Sequence, residues 1–459
     1  MYQIDFNHPI AVHFIGIGGI SMSGLAEILL TAGFQISGSD SQETGLTRHL
    51  EEQGARLYYG QRPDNIQDGL DLVVYTAAIH ADNPEYAEVV RRGIPMLSRA
   101  DFLGQLMRNY ENSIAVAGTH GKTTTTSMIS DILLAAGTDP TISVGGILKS
   151  IGGNIRLGSR ELFITEACEY TNSFLSFYPT TEVILNIEAD HLDFFKDLSE
   201  IRASFRQFAA KLPAGGLLII SSDIPAWQEI CEGLPCRVVT FGTDENSTYR
   251  AGNVVYDEYA RPTFDLIADG RVRERITLSV PGEYNVYNAL AAIAVADAAG
   301  VSGEAMVRGL AGFEGTKRRF EKKGELAGIT IIDDYAHHPR EIRVTLEAAR
   351  KYPHRKIWCV FQPHTYTRTK AFLGEFAESL ALADEVVLAD IYAARETDTL
   401  GISSRDLARE IEALGGRVTY LPSFDEIETF ILESCSGGDL LITMGAGDIV
   451  KVGEKLLGE

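Results

Sequence analysis

The chain holds 459 residues, 41 of them basic and 63 acidic, for a formal net charge of −22. That length implies about three domains with substantial cores, and 45% hydrophobic with 23% charged residues is the composition of a globular protein, which excludes a disordered or fibrous chain. A chain this acidic repels nucleic acid and anionic membrane surfaces, so any phosphate it binds must be held by local devices.

Apolar runs of strand length alternate with helix-period segments, the pattern of parallel sheets with crossover helices, and three α/β blocks separate. The first covers residues 1–109. Its opening stretch carries Asp5 and no basic cluster ahead of an apolar run, so no secretory leader is expected. A strand over 11–15 leads into the turn Gly16, Ile17, Gly18, Gly19, Ile20, Ser21, followed by a helix over 21–32 that Gly33 stops. Short strands are expected at 34–37, 70–75 and 95–97. The turn approximates the dinucleotide fingerprint G-x-G-x-x-G with Ser21 in place of the third glycine, and Asp40 ends the second strand where a ribose-binding carboxylate would lie. A diphosphate on the helix N-terminus is expected there, and the pattern does not separate NAD from another nucleotide diphosphate. Polar residues 107–112 read as a linker.

The second block, residues 110–312, opens with a strand over 113–117 that runs into Gly118, Thr119, His120, Gly121, Lys122, Thr123 and Thr124, then a helix to about residue 136. Backbone N–H groups of such a turn surround phosphate oxygens, the lysine reaches the terminal phosphates and the Thr123 hydroxyl can ligate Mg²⁺. The loop departs from the usual spacing, since Val116 stands where a glycine is expected five residues before Gly121. Strands over 162–165, 182–187 and 216–220 follow. Beyond the first two lie Glu166, Cys168 and Glu169, and then Glu188, Asp190, His191 and Asp193. Carboxylates at the C-terminal edge of a parallel sheet can hold Mg²⁺ beside the phosphate loop, or be solvated loop residues. Mg²⁺ rarely selects imidazole, so chemistry alone makes a poor case for His191. Residues 249–280 read as antiparallel hairpins, and an alanine-rich helix over 286–299 is expected, capped by Asn285 and stopped by Gly300.

The third block, residues 313–459, has strands expected at 330–332, 357–361, 385–389, 417–421 and 440–443. Asp333, Asp334, His337 and His338 follow the first of these, and His364, Thr367 and Arg368 follow the second. The histidines and Arg368 can orient an anionic substrate, arginine being suited to bidentate carboxylate recognition; helix capping by Asp334 or Thr367 is the plainer alternative. The run Lys317, Arg318, Arg319 lies at the block boundary, either a basic linker or a source of a cation that domain closure brings to a γ-phosphate. The five scattered cysteines lack metal or disulfide spacing and fit small buried hydrophobes in a reducing cytoplasm. No apolar run approaches the roughly 20 residues of a membrane-spanning helix.

Together, Gly16 to Ile20, Ser37 to Asp40, Gly118 to Thr124, Asn186 to His191, Asp334 to Pro339 and Gln362 to Arg368 resemble the Mur ligases over essentially the whole chain. The resemblance implies an α/β protein of three domains: an N-terminal Rossmann-like domain, a central P-loop ATPase-type domain with a mostly parallel sheet and an antiparallel subsheet, and a C-terminal Rossmann-like domain. It implies a cytoplasmic, ATP-dependent amide ligase of bacterial peptidoglycan synthesis, using Mg²⁺ or Mn²⁺, with UDP-N-acetylmuramate and L-alanine as substrates. Gly16 to Ser21, Ser39 and Asp40 would face the UDP-sugar, and Gly118 to Thr124, Asn285, Asn288, Arg319 and Asp334 the nucleotide. Thr123, Glu166 and His191 would be metal-site residues. Lys122 and Arg319 would act on the transferring phosphoryl, and His337, His338, His364 and Arg368 on the amino-acid side. Tyr284 stands where many relatives carry His, and Cys168 where many carry Asp. The nearest rival is a family member that attaches a preformed peptide to the same sugar nucleotide; an NAD-dependent oxidoreductase and a nucleotide-sensing binding module are rivals from other classes.

Overall fold

The computed structural model describes residues 3–76, 78–394 and 396–458, arranged around three sheets. In the first, Ala11–Ile15 lies at the centre, flanked by Gln35–Asp40 and Arg56–Tyr59 on one side and by Leu72–Tyr75 and Met96–Ser98 on the other, all parallel. Strand order reverses at Ala11–Ile15, and a ligand binds at such a switch point, just beyond the strand's C-terminal end. The glycine turn that begins at Gly16 occupies that position.

The second sheet has ten strands. Asn112–Ala117 is buried between Leu162–Ala167 and Thr181–Ile184, all three parallel, so the loops after each open on one edge. Tyr249–Tyr256, Pro262–Ala268 and Arg271–Thr277 form the expected antiparallel part. A second hairpin, Thr141–Leu148 with Gly153–Arg156, closes the other edge and was not foreseen. The helix Tyr284–Ala298 starts earlier than expected because Gly282, at φ +98°, turns the chain into it. Asn285 therefore lies inside the first turn and does not cap the helix; its Nδ2 donates to the Pro281 carbonyl at 2.7 Å.

The third sheet runs Glu321–Leu326, Ile329–Asp334, Leu440–Met444, Ile357–Phe361, Glu385–Leu388, Val418–Tyr420, parallel except for the antiparallel edge strand Glu321–Leu326. Its faces carry two apolar clusters of their own. The three-part α/β architecture implied by the resemblance is thus present. Among the described residues no helix is long and apolar enough to cross a membrane.

The first and second sheets share one apolar cluster, which contains Phe14, Phe102, Phe163 and Phe174. Residues 107–112 are accordingly no free linker. Met107 ends a helix and is buried, Asn112 opens a strand, and the Tyr110 ring packs on Phe163 at 5.0 Å and Phe6 at 5.9 Å. Gly104 sits at this seam, where an added methyl group would collide with the Ser176 carbonyl oxygen. Gly104→Ala is expected to cost about 1–3 kcal/mol by overpacking and to lower the thermal midpoint; an unchanged midpoint would show that the seam yields.

Candidate active site

Gly118 leaves the strand at φ +142°, where a side chain would also collide with the Leu185 Cβ at 2.9 Å. Asn186 clamps the loop from the neighbouring strand end. Its Oδ1 accepts from His120 N at 2.8 Å, its Nδ2 donates to His120 O at 3.0 Å and its carbonyl accepts from Thr119 N at 3.2 Å. Gly121, left-handed at φ +85°, starts the helix Lys122–Ala135, which has no side-chain N-cap. Its first N–H groups therefore point outward, available to an anion. Asn288 packs its Oδ1 against Gly121 and accepts from Thr125 Oγ1 at 3.2 Å, with Asn285 beside it.

Lys122 Nζ donates to Glu169 Oε2 at 3.0 Å and to the Thr119 carbonyl at 3.2 Å. Burial opposes the ammonium charge, but the Glu169 carboxylate outweighs it and holds the lysine above its ordinary range. Thr123 Oγ1 donates to Glu166 Oε2 at 3.0 Å. The Glu169 side chain is only 2% exposed, and its Oε1 has no hydrogen-bond partner; it faces His191 Nε2 at 3.6 Å. His191 adopts φ +53° and stacks on Tyr170 at 4.5 Å. Among the described residues no three acidic, histidine or cysteine side chains form a closed metal site. Thr123, Glu166 and the unpartnered Glu169 oxygen are hard donors that fit Mg²⁺ completed by nucleotide phosphates, the usual mode for that ion.

The other strand-end acids, open between Mg²⁺ ligation and solvated loop residues, are engaged by protein groups. Glu188 pairs with Arg340, Asp190 with Arg368 Nη2 at 3.2 Å, and Asp193 accepts from Tyr170 Oη at 2.8 Å. Arg368 Nη1 also lies 3.2 Å from His364 Nδ1. Burial pushes Asp190 up, but Arg368 and His191 outweigh it and hold the carboxyl well below its usual range. Burial pushes both His337 and His364 down to about 4. Their rings stand 5.7 Å apart and are neutral at pH 7. His337 Nδ1 donates to the Tyr335 carbonyl at 3.0 Å, which leaves its Nε2 lone pair for a donor, whereas His364 Nδ1 accepts from Arg368 and its Nε2 carries the proton.

Neither foreseen cap in the third block operates. Asp334 accepts from Phe320 N and Ala336 N, both at 2.8 Å, and burial raises its carboxyl to about 6. His338 caps Pro339–Ala349 in a reciprocal pair with Glu341, and Thr365 caps Tyr366–Ala371. Thr367 instead bonds Glu396. Arg318 is locked on Asp333 at 2.9 Å and on the Gly445 carbonyl at 2.7 Å. Arg319 stacks on Tyr335 at 5.2 Å and, among the described residues, has no ion pair.

In the first block, Asp40 Oδ2 accepts from Gly18 N at 2.8 Å, which ties the foreseen ribose carboxylate to the glycine turn. Ser39 turns away: its hydroxyl donates to buried Glu85 at 2.6 Å, while its carbonyl holds Gly16 N and Ile17 N. The helix Ile20–Thr31 has no side-chain cap, so its N-terminus is open.

Glu341, which sequence reasoning passed over, joins the second and third blocks. Its Oε1 meets His120 Nδ1 at 3.1 Å, and its Oε2 accepts from His337 N at 3.0 Å and His338 N at 3.3 Å. Burial opposes protonation of His120, yet Glu188 and Glu341 on either side outweigh it and raise the imidazole to about 9. Because the folded value lies above the unfolded one, this contact stabilises in full below about pH 6.5 and is lost as pH rises through about 9. The thermal midpoint of Glu341→Gln is expected to fall below that of the parent at pH 6.5 and to converge with it above pH 9. A gap independent of pH would mean that His120 is not the charged partner.

The chain matches three family descriptions in order: "Mur ligase family, catalytic domain" over residues 11–111, "Mur ligase middle domain" over 116–296 and "Mur ligase, glutamate ligase domain" over 318–447. It is 59% identical to the UDP-N-acetylmuramate–L-alanine ligase of Lachnospira eligens, with 100% of each chain covered. It is 60% identical to the ligase of the same name from Agathobacter rectalis, again over 100% of each. Among solved structures, it resembles the UDP-N-acetylmuramate–alanine ligase of Thermotoga maritima with TM-score 0.81 and 31% identity, 98% of each chain being covered. A murein peptide ligase of Psychrobacter arcticus gives TM-score 0.72 and 26% identity over 98% of each chain.

Proposed function

The chain belongs to the Mur ligase family, and we propose from that premise that it joins L-alanine to the lactyl carboxylate of UDP-N-acetylmuramate, converting ATP to ADP and phosphate in peptidoglycan synthesis. Residues 1–109 hold the sugar nucleotide, 110–312 hold ATP and 313–459 bring the amino acid. The supporting observation is the meeting of Asp190, adjacent to His191 at the ATP edge, with Arg368 of the third block at 3.2 Å. ATP and UDP-sugars are cytoplasmic metabolites, which places the reaction in the cytoplasm.

A carboxylate is a poor electrophile, so the lactyl oxygen first attacks the γ-phosphorus and ADP leaves. Lys122 and Arg319 stabilise charge on the transferring phosphoryl. Mg²⁺, or Mn²⁺, held by Thr123, Glu166 and the Glu169 oxygen, with His191 beside that oxygen as the further residue of the metal site, would neutralise phosphate charge when bound. The neutral amine of L-alanine then attacks the acyl carbon, and the tetrahedral intermediate expels phosphate. Arg368 receives the alanine carboxylate, and His337, His338 and His364 line the path of the amine. Holding both substrates between blocks supplies proximity and keeps water from the labile acyl phosphate. The net charge of −22 makes these local donors necessary, since both nucleotides are polyanions.

Phosphate release with ATP, Mg²⁺ and UDP-N-acetylmuramate, measured across amino acids and peptides, tests the assignment. L-alanine is expected to stimulate release most. Equal rates without any amine would sink the ligase reading, and greater stimulation by a peptide would favour the peptide-adding rival.

A further inference from the structure

Arg99 opens the helix Arg99–Met107, directly after its cap Ser98. The nearest acid on its own helix, Asp101, is already committed: Ser98 Oγ donates to one carboxylate oxygen at 2.7 Å and Ser176 Oγ to the other at 2.6 Å. Arg99 Nη1 donates to Ser21 Oγ at 3.2 Å. Among the described residues Arg99 has no ion pair, and its side chain is half-buried. A guanidinium carries five N–H donors in a planar fork, and one partly withdrawn from water is the better satisfied for an anion beside it.

Its surroundings say which anion belongs there. On one side Ser21 ends the glycine turn at the first sheet's switch point, where the diphosphate of the sugar nucleotide is placed. On the other, the bond from Ser176 to Asp101 ties the Arg99 helix to the 170–176 segment, which directly follows Cys168 and Glu169 and folds back on the Cys168 carbonyl through Phe174 N at 3.1 Å. Cys168 lies in sequence between Glu166, partner of Thr123, and Glu169, partner of Lys122. Arg99 therefore stands between the diphosphate and the place where the γ-phosphoryl is transferred. The part of the sugar nucleotide that must occupy that interval is its reacting carboxylate. We propose that Arg99 binds the lactyl carboxylate of the sugar nucleotide through its free donors and thereby selects that substrate over the otherwise similar sugar nucleotide that lacks the lactyl group. The inference rests on the function proposed above. The planar fork matches a carboxylate in two parallel hydrogen bonds, a geometry that lysine does not offer.

Calorimetric titration of the full chain with UDP-N-acetylmuramate and with UDP-N-acetylglucosamine, which lacks the lactyl group, tests it. Arg99→Met is expected to weaken the first ligand by about 10- to 100-fold, the worth of a charge-assisted contact, and to leave the second within about threefold. Arg99→Lys, carried in parallel in case the Met variant fails to fold, is expected to show the same asymmetry at smaller size. Equal losses for both ligands in the Lys variant would overturn the proposal in favour of a diphosphate or structural role, and unchanged affinity for both would overturn it outright. Should the parent chain not prefer UDP-N-acetylmuramate, the function itself fails. A parent that prefers it, with variants showing no asymmetry, defeats only the role of Arg99.

Discussion

Replacing Lys122 with Ala is expected to reduce ligase turnover by about 1,000-fold or more, the scale seen when a charged donor aimed at a developing anion is lost, while UDP-sugar affinity is retained. Lys122 is the first residue of the helix that the phosphate loop feeds, and its ammonium is held by Glu169 and the loop carbonyls. That arrangement keeps the charge at the loop before nucleotide arrives. Removing it also strands the Glu169 carboxylate, which is 2% exposed, without its cation. An unpaired buried charge is destabilising in its own right. Lys122→Arg separates the two effects: it preserves the charge for Glu169 and the fold, yet cannot place a compact ammonium at the phosphates. Its thermal midpoint is expected near that of the parent, with turnover still strongly reduced. More than about a tenth of parental turnover in the Ala variant would contradict a role in phosphoryl transfer.

The second large effect is expected at Arg368. Arg368→Ala should raise the KM for L-alanine by about 10- to 100-fold, the range for losing a charge-assisted contact, and that for ATP by far less. In this structure the guanidinium is shared between Asp190 and His364, each at 3.2 Å, with 11% of the side chain exposed. Its remaining donors have no partner among the described residues, and in the proposed function they take the alanine carboxylate. The same change leaves Asp190 unpaired beside His191, so kcat is also expected to fall, whereas Arg368→Lys recovers kcat more than KM. An unchanged KM for L-alanine in both variants would remove Arg368 from the amino-acid site.

The parallel core was legible because its strands are continuous apolar runs that stop at glycine or acid. Ile114 to Ala117 ahead of Gly118, and Val386 to Ala389 ahead of Asp390, show the pattern. Polar edge strands such as Arg56–Tyr59 and Glu321–Leu326 carry no such signal and were missed. Helix caps failed for a different reason. Asn285, Asp334 and Thr367 each stand within a few residues of the helix start, and local sequence does not decide which neighbour turns inward. His338 and Thr365 cap their helices, and the helix after Gly282 has no side-chain cap. In the site, the phosphate loop and its acids were readable as strand-end motifs, whereas His191 rested on family resemblance alone. The Glu341 contact with His120 spans 221 positions and the Asn186 clamp 66, and no local spacing encodes either. Glu169 was visible as an acid at the right edge, but its pairing with Lys122 required the fold.

In the proposed reaction the lactyl carboxylate is activated by phosphoryl transfer before the amine attacks. With UDP-N-acetylmuramate labelled with ¹⁸O in the lactyl carboxylate, mass analysis of the phosphate formed in the presence of ATP and L-alanine tests this most directly. An acyl phosphate requires that one carboxylate oxygen depart with each phosphate, so labelled phosphate is expected in step with amide product. Amide formed together with wholly unlabelled phosphate would contradict it.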